Sequence, residues 1–240
     1  IHTLRLENNF GYCGGNNAGF NWAKKNKFKY LIILNNDTEV PKGLFEKIIK
    51  PLENKNIAAV GATIVDYNNK KKIQNRGFKY NSLLGTSFAI DNRKDVDDNS
   101  KIFKSKPATY FSGACFSIKT ETIIDNQLFD PSFFCYFEEI DLALRLSKNQ
   151  YTTTVLRDAY VYHKGESSSK KINGFTEFHM ARNRIWLIKK HLNHPLLEIS
   201  LLINLFFYLP FRVLVLVFSG RIKNIKHFTK GLIIGLFTRK

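Results

Sequence analysis

This 240-residue chain is poor in cysteine, with only Cys13, Cys115 and Cys135, far apart and without a Cys-x-x-Cys pair. Neither a disulfide framework nor a structural zinc site is therefore suggested, and a reducing cytosolic setting is the simplest reading. Length makes staples unnecessary, because a chain of this size buries a substantial core and fits one α/β domain plus an appendage. The glycine-rich stretch "GYCGGNNAG" is not followed by Gly-Lys-Ser/Thr, so it is no Walker A loop, and it does not match Gly-x-Gly-x-x-Gly. Internal repeats, a Gly/Ser linker and a signal-peptide pattern are also missing. The chain opens on Ile1 rather than Met, which reads as the start of a fragment.

Acidic residues are scarce in one region. Residues 170–240 hold 13 Lys and Arg against 2 Asp and Glu, which leaves 24 against 18 for residues 1–169, out of totals of 37 and 20. A basic and strongly apolar tail points to an anionic membrane surface rather than to nucleic acid, for which basicity would be spread more evenly.

What is present alternates between strand and helix. Ile1 to Glu7 has the pattern of a short strand, a Gly/Asn loop follows, and a helix is expected near residues 17–26. The apolar run Tyr30 to Leu34 suits a strand covered on both faces, and Pro41 suits the first turn of the next helix. "IAAVGATIVDY" and "ATYFSGACFSI" read as buried strands, residues 68–107 as hairpins and loops, and "FEEIDLALRL" as a helix beginning near Tyr136 to Glu138. One or two strands end at His163, and from about Phe175 the period is helical. The expected fold is α/β with a mostly parallel sheet and ligands at the strand C-terminal ends. The expected domains are residues 1–174, catalytic, and 175–240, a helical extension.

Three groups of residues have chemistry to offer. Asp37, in "LNNDTEV", stands at a strand end where a carboxylate holds a divalent metal against a phosphate, or caps the turn before Pro41. Glu138, Glu139 and Asp141 crowd the first turn of a helix, where the dipole favours acids and flanking aromatics raise their pKa toward that of a general base. Arg145, four residues after Asp141, has ion-pair spacing. His163 gains interest beyond a structural histidine if it faces Asp37.

In order along residues 8–169, "NNFGYCGGNNAGF", "YLIILNNDTEV", "FSGACFSI", "LFDPSFFCYFEEIDLALRL" and "AYVYHKGESS" resemble the family 2 glycosyltransferases, inverting nucleotide-sugar enzymes of the GT-A fold, especially the rhamnosyltransferase-like branch. The resemblance implies that Asp37 takes the place of the family's Asp-x-Asp metal ligand for Mn2+ or Mg2+, with His163 as a second contact. It implies that Glu139 is the catalytic base, with Glu138 beside it and Asp141 in reserve. Asn9, Gly11, Asn16, Asn17, Asn35 and Asn36 would border the nucleotide or its phosphates, and Gly113 and Ala114 would line the donor and acceptor pocket. Two departures stand out. The family's acidic pair usually ends in Asp, and Glu139 is one methylene longer, a displacement of about 1 Å. The family also begins with a strand, helix and strand for which no counterpart precedes residue 1.

The tail "LLEISLLINLFFYLPFRVLVLVF" approaches the length of a bilayer span but contains Glu198, Asn204, Pro210 and Arg212. Pro210 predicts a break between two shorter helices, attached to the membrane surface or packed on the catalytic domain or a dimer mate. The expected partners are a nucleotide-sugar donor, a glycan or lipid-linked glycan acceptor and the inner face of the cytoplasmic membrane. Two other readings compete: a truncated, non-catalytic relative that binds a membrane or partner, and a nucleotidyltransferase.

Overall fold

A computed structural model describes residues 2–96, 109–124, 127–165 and 172–238. The end of the stretch read as hairpins and the "ESS" of "HKGESS" lie outside the described residues.

The chain divides into two compact units, one of residues 1–79, 87–134 and 138–165, the other of residues 80–86, 135–137 and 166–240. In chain order the first unit contributes α1 (Gly11–Lys25), β1 (Tyr30–Leu34), β2 (Thr38–Glu39), α2 (Leu44–Ile49) and β3 (Ile57–Asp66). The short strand β4 (Ile73–Asn75) follows, then β5 (Phe78–Asn81) and β6 (Thr86–Ala89), which cross the division between the units, and then β7 (Cys115–Lys119), α3 (Glu138–Lys148) and β8 (Thr152–His163).

The main sheet runs β1-β7-β3-β8-β2, with β4 on the edge of β3. The α/β class holds, but the sheet is mixed where a mostly parallel one was expected. Among the described residues only β3 and β8 pair parallel, while β1 with β7, β7 with β3, β3 with β4 and β2 with β8 are antiparallel. An apolar run shows that both faces of a strand are covered and carries no record of its direction.

Side-chain alternation along β7 separates two layers of core. Cys115 packs with Val60, Ala62 and Ile64 of β3 against Leu44 and Ile48 of α2, which lie one helical turn apart. Phe116 points the other way and stacks on Phe111 with ring centroids 4.3 Å apart, and its edge meets Phe129. Each such phenylalanine, removed from water, contributes roughly 1.5–3 kcal/mol.

Three starts differ from expectation. Residues 2–10 form no strand and are exposed, since alternation makes a strand only where a neighbour takes up its backbone hydrogen bonds. The helix expected near residue 17 already begins at Gly11, because Asn9 Oδ1 accepts the Gly11 N–H at 3.0 Å and supplies the cap that Phe10 lacks. Gly11 itself has φ +70°, and a Cβ there would collide with the Phe134 carbonyl oxygen. Pro41 precedes α2 instead of opening it, since Gly43 at φ +80° turns the chain into Leu44.

The second unit is helical: α4 (Phe175–His191), α5 (Leu196–Ile203), α6 (Leu209–Phe218) and α7 (Ile225–Phe237). Pro210 does not break the tail into two helices. Residues 204–208 form a π turn that joins α5 to α6, so Leu196–Phe218 is one helix of 23 residues. The widened turn lies just ahead of Pro210, where the proline ring and its missing N–H would strain a regular helix. Among the described residues this helix is long and apolar enough to cross a membrane by length and composition.

Candidate active site

The end of β1 is tied on both sides. Leu34 pairs with Cys115, Asn35 N–H donates to the Ala114 carbonyl at 3.0 Å, and Thr38 Oγ1 closes the turn by donating to the Asn35 carbonyl at 2.7 Å. Beyond the turn, β2 lies against the last residues of β8, with Thr38 opposite His163, and Lys164 N–H donates to the Asp37 carbonyl at 3.1 Å. This pairing brings together side chains 126 positions apart in sequence: Asp37 Oδ1 stands 3.2 Å from His163 Nε2.

The two atoms are close without being hydrogen-bonded, for Asp37 Oδ1 is buried and has no donor in bonding geometry. The reason lies on the far side of the imidazole. Gln74 Nε2 donates to the His163 carbonyl at 2.8 Å, which aims Gln74 Oε1 at His163 Nδ1, 3.1 Å away. An amide oxygen only accepts, so Nδ1 is the donor to Gln74, and in the neutral imidazole this leaves the Nε2 lone pair toward Asp37. Two acceptor atoms held face to face fit a divalent cation. Neighbouring ligand atoms in an octahedral shell of ~2.1 Å bonds lie roughly 3 Å apart. No third His, Cys, Asp or Glu joins the pair among the described residues, so the rest of such a shell would fall to ligand oxygens and water.

Glu139 is reached from the other side of the β1 terminus. Gly113, beside the Ala114 that bonds Asn35, donates its N–H to Glu139 Oε1 at 3.1 Å, and its carbonyl accepts from Tyr12 Oη at 2.7 Å. A Cβ on Gly113 would collide with Glu139 Oε1 and crowd the Tyr12 hydroxyl, so a side chain here would push the Glu139 carboxylate out of this position. Immediately before α3, Phe134, Tyr136 and Phe137 have φ of 65°, 68° and 74°, a concentration of backbone strain typical of functional turns.

The acids of α3 separate by environment. Glu139 is half-buried, and burial raises its pKa. Glu138 is only 4% exposed, its Oε2 is without a partner, and its pKa is raised well above the ordinary range, by burial first and by the charge of Glu139 second. Burial therefore disfavours ionisation of Glu138 more strongly than that of Glu139. Asp141 is fully buried and accepts from Arg145 Nε at 2.9 Å, while Arg145 Nη2 donates to the Leu128 carbonyl at 2.6 Å. That pair ties α3 to the preceding loop and engages Asp141 Oδ2, the acid expected in reserve.

The residues expected at the donor divide in the same way. Asn17 spends its amide on both backbone groups of Phe129, at 2.7 and 2.8 Å, and Asn16 donates to the Tyr12 carbonyl at 2.8 Å. Asn9 caps α1, and Gly11 makes room for the Phe134 carbonyl. Asn35, Gly113 and Ala114 form the bridge between Glu139 and Asp37, with Asn36 exposed in the turn. Tyr12 and Gln74 were missed by sequence reasoning. Tyr12 lay hidden inside the glycine loop, and Gln74 has no local signal, since only the β3–β4 pairing brings it toward His163. A cavity of about 260 Å³ lined by Thr122, Ile123, Arg145, Leu146, Lys148 and Asn149 opens at the C-terminal end of α3, the opposite end from Glu139.

A mixed sheet with helices on its faces, carrying an acidic turn at the end of a strand, is the GT-A glycosyltransferase fold. It is shared with GalNAc-T7, solved with UDP, GalNAc and Mn2+, at a TM-score of 0.51 and 15% identity over 76% of this chain. This chain spans 38% of that one. The chain belongs to glycosyl transferase family 2, whose model matches residues 1–124, just over half its length. Asp37, Gly113 and Ala114 lie inside the matched residues; Glu139 and His163 lie beyond them. A mannosyltransferase from Pyrobaculum calidifontis, PcManGT in complex with GDP-Man and Mn2+, aligns over 100% of this chain and 70% of its own at 8% identity and a TM-score of 0.47, too loose a likeness to build on. No curated protein sequence matches the chain.

Proposed function

We propose that the protein is a metal-dependent, inverting glycosyltransferase that moves a sugar from a nucleotide diphosphate to a hydroxyl of a growing surface polysaccharide. One observation carries the reading. A half-buried carboxylate, Glu139, and a pair of facing acceptor atoms on Asp37 and His163 are joined through the Gly113–Ala114 and Asn35 backbone at one strand end. Family membership supplies the reaction class.

In this reading Glu139 accepts the proton of the acceptor hydroxyl. The oxygen forms its bond to the anomeric carbon as the bond to the diphosphate breaks, and the electron pair leaves with the nucleoside diphosphate, inverting the anomeric centre. Asp37 Oδ1 and His163 Nε2 would hold Mn2+ or Mg2+, which when bound offsets the charge gathering on the departing diphosphate. The raised pKa of Glu139 makes it a stronger base once ionised.

The donor in this proposal is dTDP-rhamnose or a UDP-sugar, by resemblance to the rhamnosyltransferase-like branch, and the acceptor is a lipid-linked glycan at the inner face of the cytoplasmic membrane. The test is a transfer assay with UDP- and dTDP-sugars and lipid-linked acceptors, with Mn2+ or with chelator, following the released nucleotide and the anomeric configuration of the product. Metal-dependent release of nucleoside diphosphate with inversion supports the proposal. Pyrophosphate release would identify a nucleotidyltransferase, and failure to bind any donor would identify a non-catalytic relative.

A further inference from the structure

The helix Leu196–Phe218 has two faces of unlike chemistry. Its polar side chains in the middle of the run are turned inward: Ser200 Oγ donates to the Leu83 carbonyl at 2.6 Å, and Asn204 Oδ1 accepts from Arg184 Nε at 2.6 Å. On the same side Leu216, with Leu201, Leu209 and Val213, packs against Ile185 of α4 and Phe228 and Leu232 of α7. The outward side is apolar and bare. Phe206, Phe207 and Phe218 are 63%, 72% and 86% exposed, with Leu202, Phe211 and Leu214 exposed beside them. This reverses the ordinary surface helix, which turns its polar stripe to water. An apolar surface of this extent marks a docking site.

The π turn at residues 204–208 has a place in this arrangement. By fitting extra backbone into one turn it delays the phase of α6. Phe211, Leu214 and Phe218 then continue the stripe begun by Leu196, Ile199 and Leu202, where an uninterrupted α-helix would rotate them toward the packed side. The bare face thus runs the length of the helix, about 35 Å at 1.5 Å per residue.

Charge identifies the occupant. No acidic residue follows Glu198, whereas Arg212, Arg221, Lys223, Lys226 and Lys230 do follow it. Apolar aromatics continuous with a cationic segment match a bilayer whose headgroups are anionic. The inward face sets the orientation. The buried guanidinium of Arg184 on α4 bonds Asn204 in the middle of this helix, so a perpendicular span would carry that charge into hydrocarbon.

We propose that the outer face of Leu196–Phe218 docks the protein on an anionic lipid bilayer, with the helix lying in the membrane plane and its phenylalanines immersed at the headgroup boundary. The proposal stands apart from sugar transfer, and donor binding serves as the control for folding.

The experiment is sedimentation of the full chain with phosphatidylcholine vesicles, with and without phosphatidylglycerol. The wild type is expected to pellet more completely with anionic than with neutral vesicles, a difference that salt removes. The variant Phe206→Ser/Phe207→Ser/Phe211→Ser, changed only at exposed positions, should bind at least about tenfold more weakly, because each phenylalanine withdrawn from water contributes to partition. The variant Lys223→Gln/Lys226→Gln/Lys230→Gln should lose the preference for anionic vesicles while keeping its apolar attachment. Wild-type protein left in the supernatant, or phenylalanine and wild-type chains pelleting alike, would overturn the proposal. So would a discrete dimer dissolved by the phenylalanine changes, which makes a second copy the occupant. Resistance of the membrane-bound chain to alkaline extraction would overturn the in-plane orientation in favour of a span.

Discussion

Gln74 and His163 exchange two hydrogen bonds, Nε2 to the backbone carbonyl at 2.8 Å and Oε1 with Nδ1 at 3.1 Å, and so fix which ring nitrogen faces Asp37. This places a glutamine from a short edge strand in control of the ring nitrogen that meets Asp37.

Replacing that glutamine tests the arrangement. Gln74→Leu should weaken Mn2+ binding by roughly 10- to 100-fold, as loss of an outer partner of a metal-bound histidine does. Titration calorimetry reads the affinity, and 15N shifts of the His163 ring read the tautomer. Unchanged affinity with unchanged shifts would assign Gln74 to strand packing alone.

Glu139→Gln should leave donor binding near wild type and reduce turnover by about 10²-fold or more, the scale of a general base. A base works only when ionised, and burial raises the pKa of Glu139, so activity should fall as pH drops through that raised value, above the ordinary glutamate range. An acid limb in the ordinary glutamate range, or a limb that survives in Glu139→Gln, would assign the ionisation to another group.

Gly113→Ala places a methyl against both Glu139 Oε1 and the Tyr12 hydroxyl. Displacement of the carboxylate by about 1 Å is enough to cost on the order of 10²-fold in turnover. The circular dichroism spectrum and metal affinity should stay near wild type, and Tyr12→Phe, which frees the Gly113 carbonyl, should show a smaller loss in the same direction.

Asn17→Ala separates structure from donor contact. Both side-chain hydrogen bonds of Asn17 go to the backbone of Phe129, so the substitution leaves a carbonyl and an N–H without partners at about 1–3 kcal/mol for each buried group. Thermal unfolding should shift down clearly while donor affinity in the folded protein holds. Lost donor affinity at unchanged stability would return Asn17 to the nucleotide.

The amino-acid sequence by itself determined the layered α/β class, the strand that stops at Asn35, the acidic first turn of α3 and the apolar, basic tail. Each is written in a few consecutive residues, where local backbone preference and periodicity dominate. Tertiary structure decided what those pieces meet. Strand direction was illegible because a run covered on both faces reads alike in either orientation. The pairing of Asp37 with His163, and the control of His163 by Gln74, depend on the β2–β8 and β3–β4 ladders, which join residues far apart along the chain. Glu138, Glu139 and Asp141 look equivalent as sequence. Only packing buries the first with its Oε2 unpartnered, leaves the second half-buried against Gly113 and hands the third to Arg145, because burial and neighbouring charge, more than residue type, set how readily each carboxyl ionises.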